Sequence, residues 1–308
     1  MRTRSPPSSP FAAHPSMRIG YVSLNVPDLQ RSLDFYRSIL GFKTTGRPSS
    51  ERALLSCAAD GDYSPQLIEL LQAKSSYNNH DKVPKRAGLY HFAVLLPERK
   101  FLADMLENLS EKRASVYFEG MANHLVSESI YIRDPDRNGI EIYCDRPRSE
   151  WRWNAADNRI QMATERLDVQ DLLRDRTDRG WKEMPANTTI GHMHLHVSNL
   201  ARSLAFYSEI LGLNLTCVFP GAYFFAADRY HHHIATNTWL GNDVAPASPQ
   251  NPGLNHFSIE LPASELENTT THLASHGVPI EKGEESMVVG LRDPDNIPIR
   301  IYFRNWLQ

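Results

Sequence analysis

The sequence has little of what several classes of protein require. Its three cysteines, Cys57, Cys144 and Cys217, are spaced too widely for a disulfide framework or a CxxC zinc site. No apolar run approaches the roughly 20 residues that span a bilayer. The 33 basic and 36 acidic residues give a net charge of −3, so no basic excess attracts nucleic acid or an anionic membrane. We therefore expect a cytoplasmic protein in a reducing compartment, with neither nucleic acid nor a membrane as partner.

The first sixteen residues lack acidic side chains and the apolar segment of a secretory signal. They are rich in proline and serine, which predicts a disordered tail over residues 1–16; an organellar transit segment is the alternative. The remaining chain is long enough for about two domains, and 41% hydrophobic residues suffice for a sizeable core.

Internal repeats define the organisation of the chain. The segment IGYVSLNVPDLQRSLDFYRSILGF at 19–42 reappears without a gap as IGHMHLHVSNLARSLAFYSEILGL at 190–213. GLYHFAVLLP at 88–97 recurs as GLNHFSIELP at 253–262, and IRDPD at 132–136 recurs as LRDPD at 291–295. Three matched blocks in the same order indicate two homologous halves, 17–144 and 190–308, separated by a connector at 145–189.

Each half contains two related units, and each unit begins with a strand of period-2 hydrophobicity, at 19–26, 89–96, 190–197 and 254–261. A helix follows each strand, as at 199–211, where Asn199 suits the N-cap and Gly212 ends the helix. Short strands and turns fill the rest. The predicted fold is α+β, with four βαβββ units.

Paired βαβββ units with GxxHxxLxV-type first strands and a DPDxNGIEIY ending resemble the vicinal oxygen chelate superfamily. The superfamily includes glyoxalase I, bleomycin-resistance proteins and extradiol dioxygenases. Residues 88–97, 141–148, 191–197 and 230–233 resemble most closely its catechol 2,3-dioxygenase-like branch. The resemblance implies two cup-shaped mixed sheets, with metal ligands on the first and last strands of each unit.

The residues at those ligand positions differ between the units. They are Tyr21 and Glu69 in unit 1, His91 and Glu141 in unit 2, His192 with His231 and His233 in unit 3, and His256 and Arg300 in unit 4. Pairing in chain order leaves both cups incomplete. Pairing unit 2 with unit 3 collects His91, Glu141 and His192, the two imidazoles and one carboxylate that hold non-haem Fe(II). We therefore predict this crossed pairing, with a degenerate second cup in which Arg300 could neutralise Glu69.

The resemblance also implies groups that transfer protons beside the metal. In extradiol enzymes a tyrosine precedes the glutamate ligand by ten residues, as Tyr131 precedes Glu141, and His124 lies near the place of a family histidine. A further family histidine closes the preceding unit. We assign it to His233, with His231 second, because Ile234 is expected to face the helices. The remaining strand histidines, His194 and His196, are interpreted as cavity-lining residues.

These residues predict an Fe(II) extradiol dioxygenase that acts on a catechol-type diol, with a small aromatic substrate and O2 as partners. Self-association is left open. One alternative is a non-redox, glyoxalase-like lyase or isomerase that uses Mn, Zn or Ni. Another is a metal-free protein that binds an aromatic ligand.

Overall fold

In the computed structural model, which describes residues 11–57, 66–74, 85–283 and 286–305, the chain forms two mixed eight-stranded sheets. The strands of unit 1 and unit 2 are β1 (Arg18–Val26), β2 (Lys43–Ser49), β3 (Arg52–Ser56), β4 (Ile68–Gln72), β5 (Gly88–Leu95), β6 (Tyr117–Asn123), β7 (Ser127–Arg133) and β8 (Gly139–Asp145). The connector adds a short hairpin of β9 (Trp153–Asn154) and β10 (Arg159–Ile160). The strands of unit 3 and unit 4 are β11 (Thr189–His196), β12 (Asn214–Phe219), β13 (Ala222–Ala226), β14 (Ile234–Asn237), β15 (Gly253–Pro262), β16 (Glu281–Lys282), β17 (Val288–Arg292) and β18 (Pro298–Arg304).

The helices are short. They are α1 (Leu29–Ser38), α2 (Arg99–Glu111), α3 (Val169–Leu172), α4 (Leu200–Leu204) and α5 (Leu266–Ser275), with 3-10 turns at Arg113–Ser115, Arg148–Glu150, Leu173–Asp175 and Ala263–Glu265. The predicted helix at 199–211 is present with Asn199 as its N-cap, but its second part, Ala205–Ile210, has π-helical hydrogen bonding. Within the described part of the chain, no helix is both long and apolar enough to cross a membrane.

The predicted crossed pairing is confirmed. Sheet 1 has the strand order β16-β17-β18-β15-β1-β4-β3-β2 and therefore joins unit 4 to unit 1. Sheet 2 has the order β12-β13-β14-β11-β5-β8-β7-β6 and joins unit 3 to unit 2. In each sheet the first strands of the two units pair antiparallel at the centre, β1 with β15 and β11 with β5. One hydrophobic core joins the sheets, since Val22 and Leu24 of sheet 1 belong to the same buried cluster as Met193 and Leu195 of sheet 2.

The DPD turns connect units that lie in different sheets. Asp134 is buried in the turn after β7, where its carboxylate accepts the N–H groups of Asp136 and Asn138 and the hydroxyl of Tyr36 on α1. The repeat forms the same contact in unit 4, where Asp293 accepts the hydroxyl of Tyr207 at 3.0 Å. In each half of the chain, a buried tyrosine–aspartate hydrogen bond thus joins two units that belong to different sheets.

The predicted disordered tail is wrong for residues 11–16, and residues 1–10 lie outside the described residues. Phe11 stacks on His272 with ring centroids 3.9 Å apart, and the N–H of Ala13 donates to the carbonyl of Gly212 at 2.9 Å. Gly212 has a φ of +71°, and a Cβ there would lie 2.6 Å from the nitrogen of Ala13. Only glycine allows both the helix end and this close approach.

Candidate metal centre and its cavity

Three central strands of sheet 2 bring His91, Glu141 and His192 together. Strand alternation places His192 and His194 on the cup face of β11 and Met193 on the core face, as it places Glu141 on the cup face of β8. The ligand atoms of His91, Glu141 and His192 all lie within 4.8 Å of one another. The Nε2 atoms of His91 and His192 lie 3.0 and 3.1 Å from the same oxygen, Glu141 Oε2. The geometry therefore supplies two imidazoles and one carboxylate at one buried point.

The electrostatics of this group favour the charge states that bind a metal. Burial tends to raise the pKa of Glu141, but its interactions with His192 first, and then with His91, outweigh burial and hold that pKa well below its usual range. Burial lowers the pKa of His192 to about 4, against the opposing effect of Glu141. At neutral pH the group is thus an anionic carboxylate beside a neutral imidazole, the forms in which these side chains bind metal ions. Ser129 holds the carboxylate by donating to Oε1 at 2.6 Å.

The hydrogen bonds leave a place for a cation. His91 Nε2 is buried and lies 3.0 Å from Glu141 Oε2, yet it forms no hydrogen bond with any described residue. A buried nitrogen without a partner costs about 1–3 kcal/mol. A divalent transition metal bound by the three side chains would satisfy it, so the residues present fit such an ion.

A cavity of about 420 Å³ opens in front of these residues. Aromatic rings form much of its wall: the ring centroid of Tyr90 lies 4.9 Å from that of His194 and 5.3 Å from that of Trp239. Burial and the neighbouring imidazoles lower the pKa of His194 well below its usual value, so it is a neutral wall residue. Other lining residues are Met121, Ala122, Met162, Ala163, Thr164, Phe219 and Phe224. The volume and the apolar, aromatic lining suit a single aromatic ring.

The structure brings His124 and Tyr131 together at this cavity. Tyr131 on β7 lies beside Glu141 in the strand register, and its hydroxyl lies 2.7 Å from His124 Nε2. His124 Nδ1 lies 2.7 Å from the carbonyl of Ala163. A carbonyl only accepts, so Nδ1 carries the proton and the neutral ring's Nε2 accepts from Tyr131. Burial first, and then the charge of Glu141, raises the pKa of Tyr131 well above its usual value, which keeps the phenol protonated.

Sequence reasoning missed the role of the connector in this wall. Ala163 orients His124, and residues 162–164 line the cavity. The backbone of Glu165 pairs with that of Asn123 on β6 in an isolated antiparallel bridge. No hydrophobic period in residues 162–165 predicts such a contact, because backbone hydrogen bonds hold this part of the connector to β6.

The prediction that His233 faces the cup is wrong, because the side chain that lines the cavity is that of His232. His232 lines the cavity, and its ring lies over that of His192 with centroids 4.1 Å apart. His233 instead accepts the N–H of Ala227 at 3.3 Å and stacks on Tyr230, away from the cavity. Strand β14 begins at Ile234, so the alternation used to orient His233 does not apply to the irregular backbone before it.

His231 does not face the cavity, but it orients His232. Asp145 accepts from His231 Nε2 at 3.0 Å, which leaves His231 Nδ1 as the acceptor for His232 Nδ1 at 2.8 Å. His232 Nε2 then carries a lone pair on the cavity side. Burial, followed by the neighbouring imidazoles of His192 and His231, lowers the pKa of His232 well below its usual value, so this ring is neutral.

The degenerate second cup lies in sheet 1, as expected, but its ion pairs differ from the expectation. Glu69 is paired with Arg52 at 2.5 Å, so Arg300 is not its partner. Arg52 is on β3, directly beside β4, and reaches the carboxylate from the adjacent strand.

Two mixed sheets of paired βαβββ units, one of which holds a buried His/Glu/His group, are typical of metal-dependent enzymes built on a duplicated unit. The sequence matches the family described as Glyoxalase/Bleomycin resistance protein/Dioxygenase superfamily over residues 18–142 and 189–301. The chain belongs to this superfamily.

Individual relatives agree with this assignment. The protein is 37% identical over 286 residues to a Bacillus subtilis (strain 168) protein named Catechol-2,3-dioxygenase, covering 91% of this chain and 95% of the relative. Glyoxalase I from Zea mays superposes with a TM-score of 0.54 at 17% identity, covering 94% of this chain and 92% of that one. The cppA protein from Streptococcus pneumoniae TIGR4 superposes with a TM-score of 0.56 at 14% identity, covering 93% of this chain and 98% of that one. The two structures share the fold, and the sequence relative supports an enzyme rather than a metal-free binding protein.

Proposed function

We propose that the protein is an Fe(II)-dependent extradiol dioxygenase that cleaves the ring of a catechol-type diol. The observation that carries the proposal is the convergence of His91, Glu141 and His192 in the crossed cup of sheet 2. A two-imidazole, one-carboxylate set with open positions suits Fe(II) that must bind a substrate and O2 together. The 37% identity to a protein named Catechol-2,3-dioxygenase supports the same reaction.

The three side chains would hold the iron, which when bound would supply a Lewis acid for the diol oxygens and a path for electrons from the diol, the reductant, to O2. Both atoms of O2 enter the ring-opened semialdehyde acid, so the reaction needs no other reductant. The aromatic wall around Tyr90 and Trp239 would hold the ring against the metal and limit access of water.

His124 and Tyr131 are proposed to handle protons on one side of the cavity. Diol binding as an anion releases protons, and His124 Nε2 is oriented to accept one because Nδ1–H is fixed on the Ala163 carbonyl. Once His124 Nε2 has taken a proton, it donates to the Tyr131 oxygen, and the hydroxyl of Tyr131, which remains a neutral phenol, is free to donate a hydrogen bond to negative charge that develops near Glu141.

On the opposite side of the cavity we propose that His232, rather than His233, is the histidine that transfers protons beside the metal. Its Nε2 lone pair faces the cavity beside His192, and the Asp145–His231 chain holds the ring in that tautomer. His233 would then act only by packing against Tyr230.

The test is oxygen uptake by protein purified without air and loaded with Fe(II), on addition of catechol and substituted catechols. We expect stoichiometric O2 consumption together with the absorbance of a ring-opened semialdehyde. Metal analysis should give one iron per chain, and loading with Zn should give no O2 uptake. An iron-loaded protein that consumes no O2 with any catechol would replace this proposal by the non-redox, glyoxalase-like one.

The setting of the enzyme is proposed on the same basis. Its partners are a small aromatic substrate and O2. Cys144 and Cys217 are buried thiols, which suits the reducing cytoplasm.

A further inference from the structure

Sheet 1 repeats the arrangement of sheet 2 with the charge at its centre reversed. His256 lies beside Ser23 of the paired strand, as His91 lies beside His194. Arg300 lies beside Ser258 in the parallel register, as Glu141 lies beside Ala93. The second cup therefore has a guanidinium where the first cup has its carboxylate ligand.

The carboxylates near this face already have cationic partners. Glu69 is paired with Arg52 at 2.5 Å, and Glu260 is paired with Arg18 at 2.8 Å and Arg304 at 3.4 Å. Among the described residues, no carboxylate lies within 4.0 Å of the Arg300 guanidinium, whose polar neighbours are the hydroxyls of tyrosines. Within the described ranges, the Arg300 guanidinium is thus a positive charge on the cup face that no carboxylate pairs with.

A chain of hydrogen bonds ends beside this charge. Asn255 Nδ2 donates to His256 Nδ1 at 3.1 Å, so the ring proton is on Nε2 and points to the Tyr21 hydroxyl at 2.9 Å. The Tyr21 hydroxyl lies 2.9 Å from that of Tyr302, which is next to Arg300. Either tyrosine can be the donor in this pair; when Tyr21 donates to Tyr302, the Tyr302 hydroxyl has a proton to donate to a ligand of Arg300.

A cavity of about 220 Å³ adjoins these groups, and Asn255, His256, Arg292 and Arg300 line it together with one carboxylate, Glu281, which lies 4.0 Å from Arg292. Gly290 lies opposite Arg300 in the register of β17 and β18, so no side chain projects from β17 beside the guanidinium, and Glu281 is the side chain next to that position. The volume is below the roughly 300–1,000 Å³ of sites for drug-sized ligands, which favours a small molecule.

We propose that the second cup is a binding site for a small anion, either a carboxylate or inorganic phosphate, held by Arg300 with a donor from Tyr302, while Arg292 offsets the charge of Glu281. A guanidinium presents paired N–H donors that match two oxygens of either group, and the tyrosine hydroxyl adds a further donor. The proposal does not depend on ring cleavage in the first cup.

The test is calorimetric titration of the full chain with sodium acetate, benzoate and phosphate, each at constant ionic strength set with NaCl. We expect at least one of these probes to bind the wild type, and the probe that binds identifies the anion class. Arg300→Gln should weaken that binding about tenfold or more, and Tyr302→Phe by a smaller factor. Arg304→Gln removes a charge from the same strand face, but one that already pairs with Glu260, so binding should change less than about twofold.

Arg300→Lys keeps the charge and loses the fork, so it should bind with intermediate affinity and serves as a second variant if the glutamine variant is unstable. Circular dichroism checks the fold of each variant. Binding of benzoate in the first cup would survive Arg300→Gln. Absence of binding by all three probes, or equal affinity in the wild type and Arg300→Gln, overturns the proposal, as does an equal loss in Arg304→Gln.

Discussion

Replacing Glu141 by glutamine tests the metal centre most directly. Glutamine keeps the shape of the side chain and removes its negative charge, and its amide group presents donors to His91 and His192 if it points toward them. Glu141 is only 3% exposed, so solvent screens little of the interaction between its charge and a bound metal. We expect the fold to persist and metal affinity to collapse.

The structure allows the size of the loss to be estimated. Two unit charges about 4 Å apart interact by about 4 kcal/mol at an effective dielectric constant of about 20. A ligand oxygen lies closer than this to a divalent ion, so loss of the carboxylate charge should lower metal affinity by about a thousandfold or more. Ser129→Ala removes only the 2.6 Å hydrogen bond that orients the carboxylate. Loss of such an outer partner typically costs about 10–100-fold. Metal affinity should therefore be highest in the wild type, lower in Ser129→Ala and lowest in Glu141→Gln.

The assay is metal content after anaerobic loading and dialysis, followed by titration against a competing chelator. Glu69→Gln makes the same chemical change at a buried carboxylate of the other sheet, where Arg52 is the partner, and should leave metal affinity unchanged. Equal affinity in Glu141→Gln and the wild type, or an equal loss in Glu69→Gln, would show that the ligand set is wrong.

Three further predictions concern protons. His124→Phe should retain iron and bind catechol, but lower kcat by about 10²–10⁴-fold with loss of one limb of the pH–rate profile, whereas Tyr131→Phe should have a smaller effect; wild-type O2 uptake by His124→Phe would contradict this role. Asp145→Asn should lower kcat about 10–100-fold at nearly constant KM and iron content, measured by O2 uptake, because His232 loses its fixed tautomer. For His256, burial and nearby arginines lower the pKa from 6.5 to about 3, so the unfolded chain binds the extra proton and stability falls as pH drops below 6.5. Between pH 7 and pH 5 this effect should lower the free energy of unfolding of the metal-free protein, measured with urea, by about 2 kcal/mol. His256→Gln should remove that pH difference, whereas His276→Gln, at an exposed histidine, should not.

The repeats made the fold and the triad predictable from the sequence. Strand alternation and the duplicated blocks located His91, Glu141 and His192, and only one pairing of units completed a ligand set. The pairing of unit 2 with unit 3 concerns the whole chain, yet three side chains predicted it. An incomplete ligand set would leave a buried carboxylate without a cation to offset its charge. The spacing of Tyr131 before Glu141 was informative for the same reason, since paired strands keep their register.

Each error has a physical cause. His233 was oriented by alternation, although the backbone before β14 is not a strand, so the parity of the sequence has no meaning there. Glu69 was matched with Arg300 across the cup, but an adjacent strand supplied Arg52. The connector wall at Ala163 is held by backbone pairing, which leaves no side-chain pattern to read.

The crossed topology explains how one chain can keep one cup and change the other. Sheets join unit 2 to unit 3 and unit 1 to unit 4, while the buried Tyr36–Asp134 and Tyr207–Asp293 hydrogen bonds join unit 1 to unit 2 and unit 3 to unit 4. Every unit is thus tied to two others, and the common core depends on the apolar face of each strand rather than on the cup face. Cup-face residues can change charge, as from a carboxylate to Arg300, without loss of the packing that holds His91, Glu141 and His192 in place. Separation of the two cup faces by one shared core would therefore allow one cup to hold the proposed metal while the other takes the proposed anion.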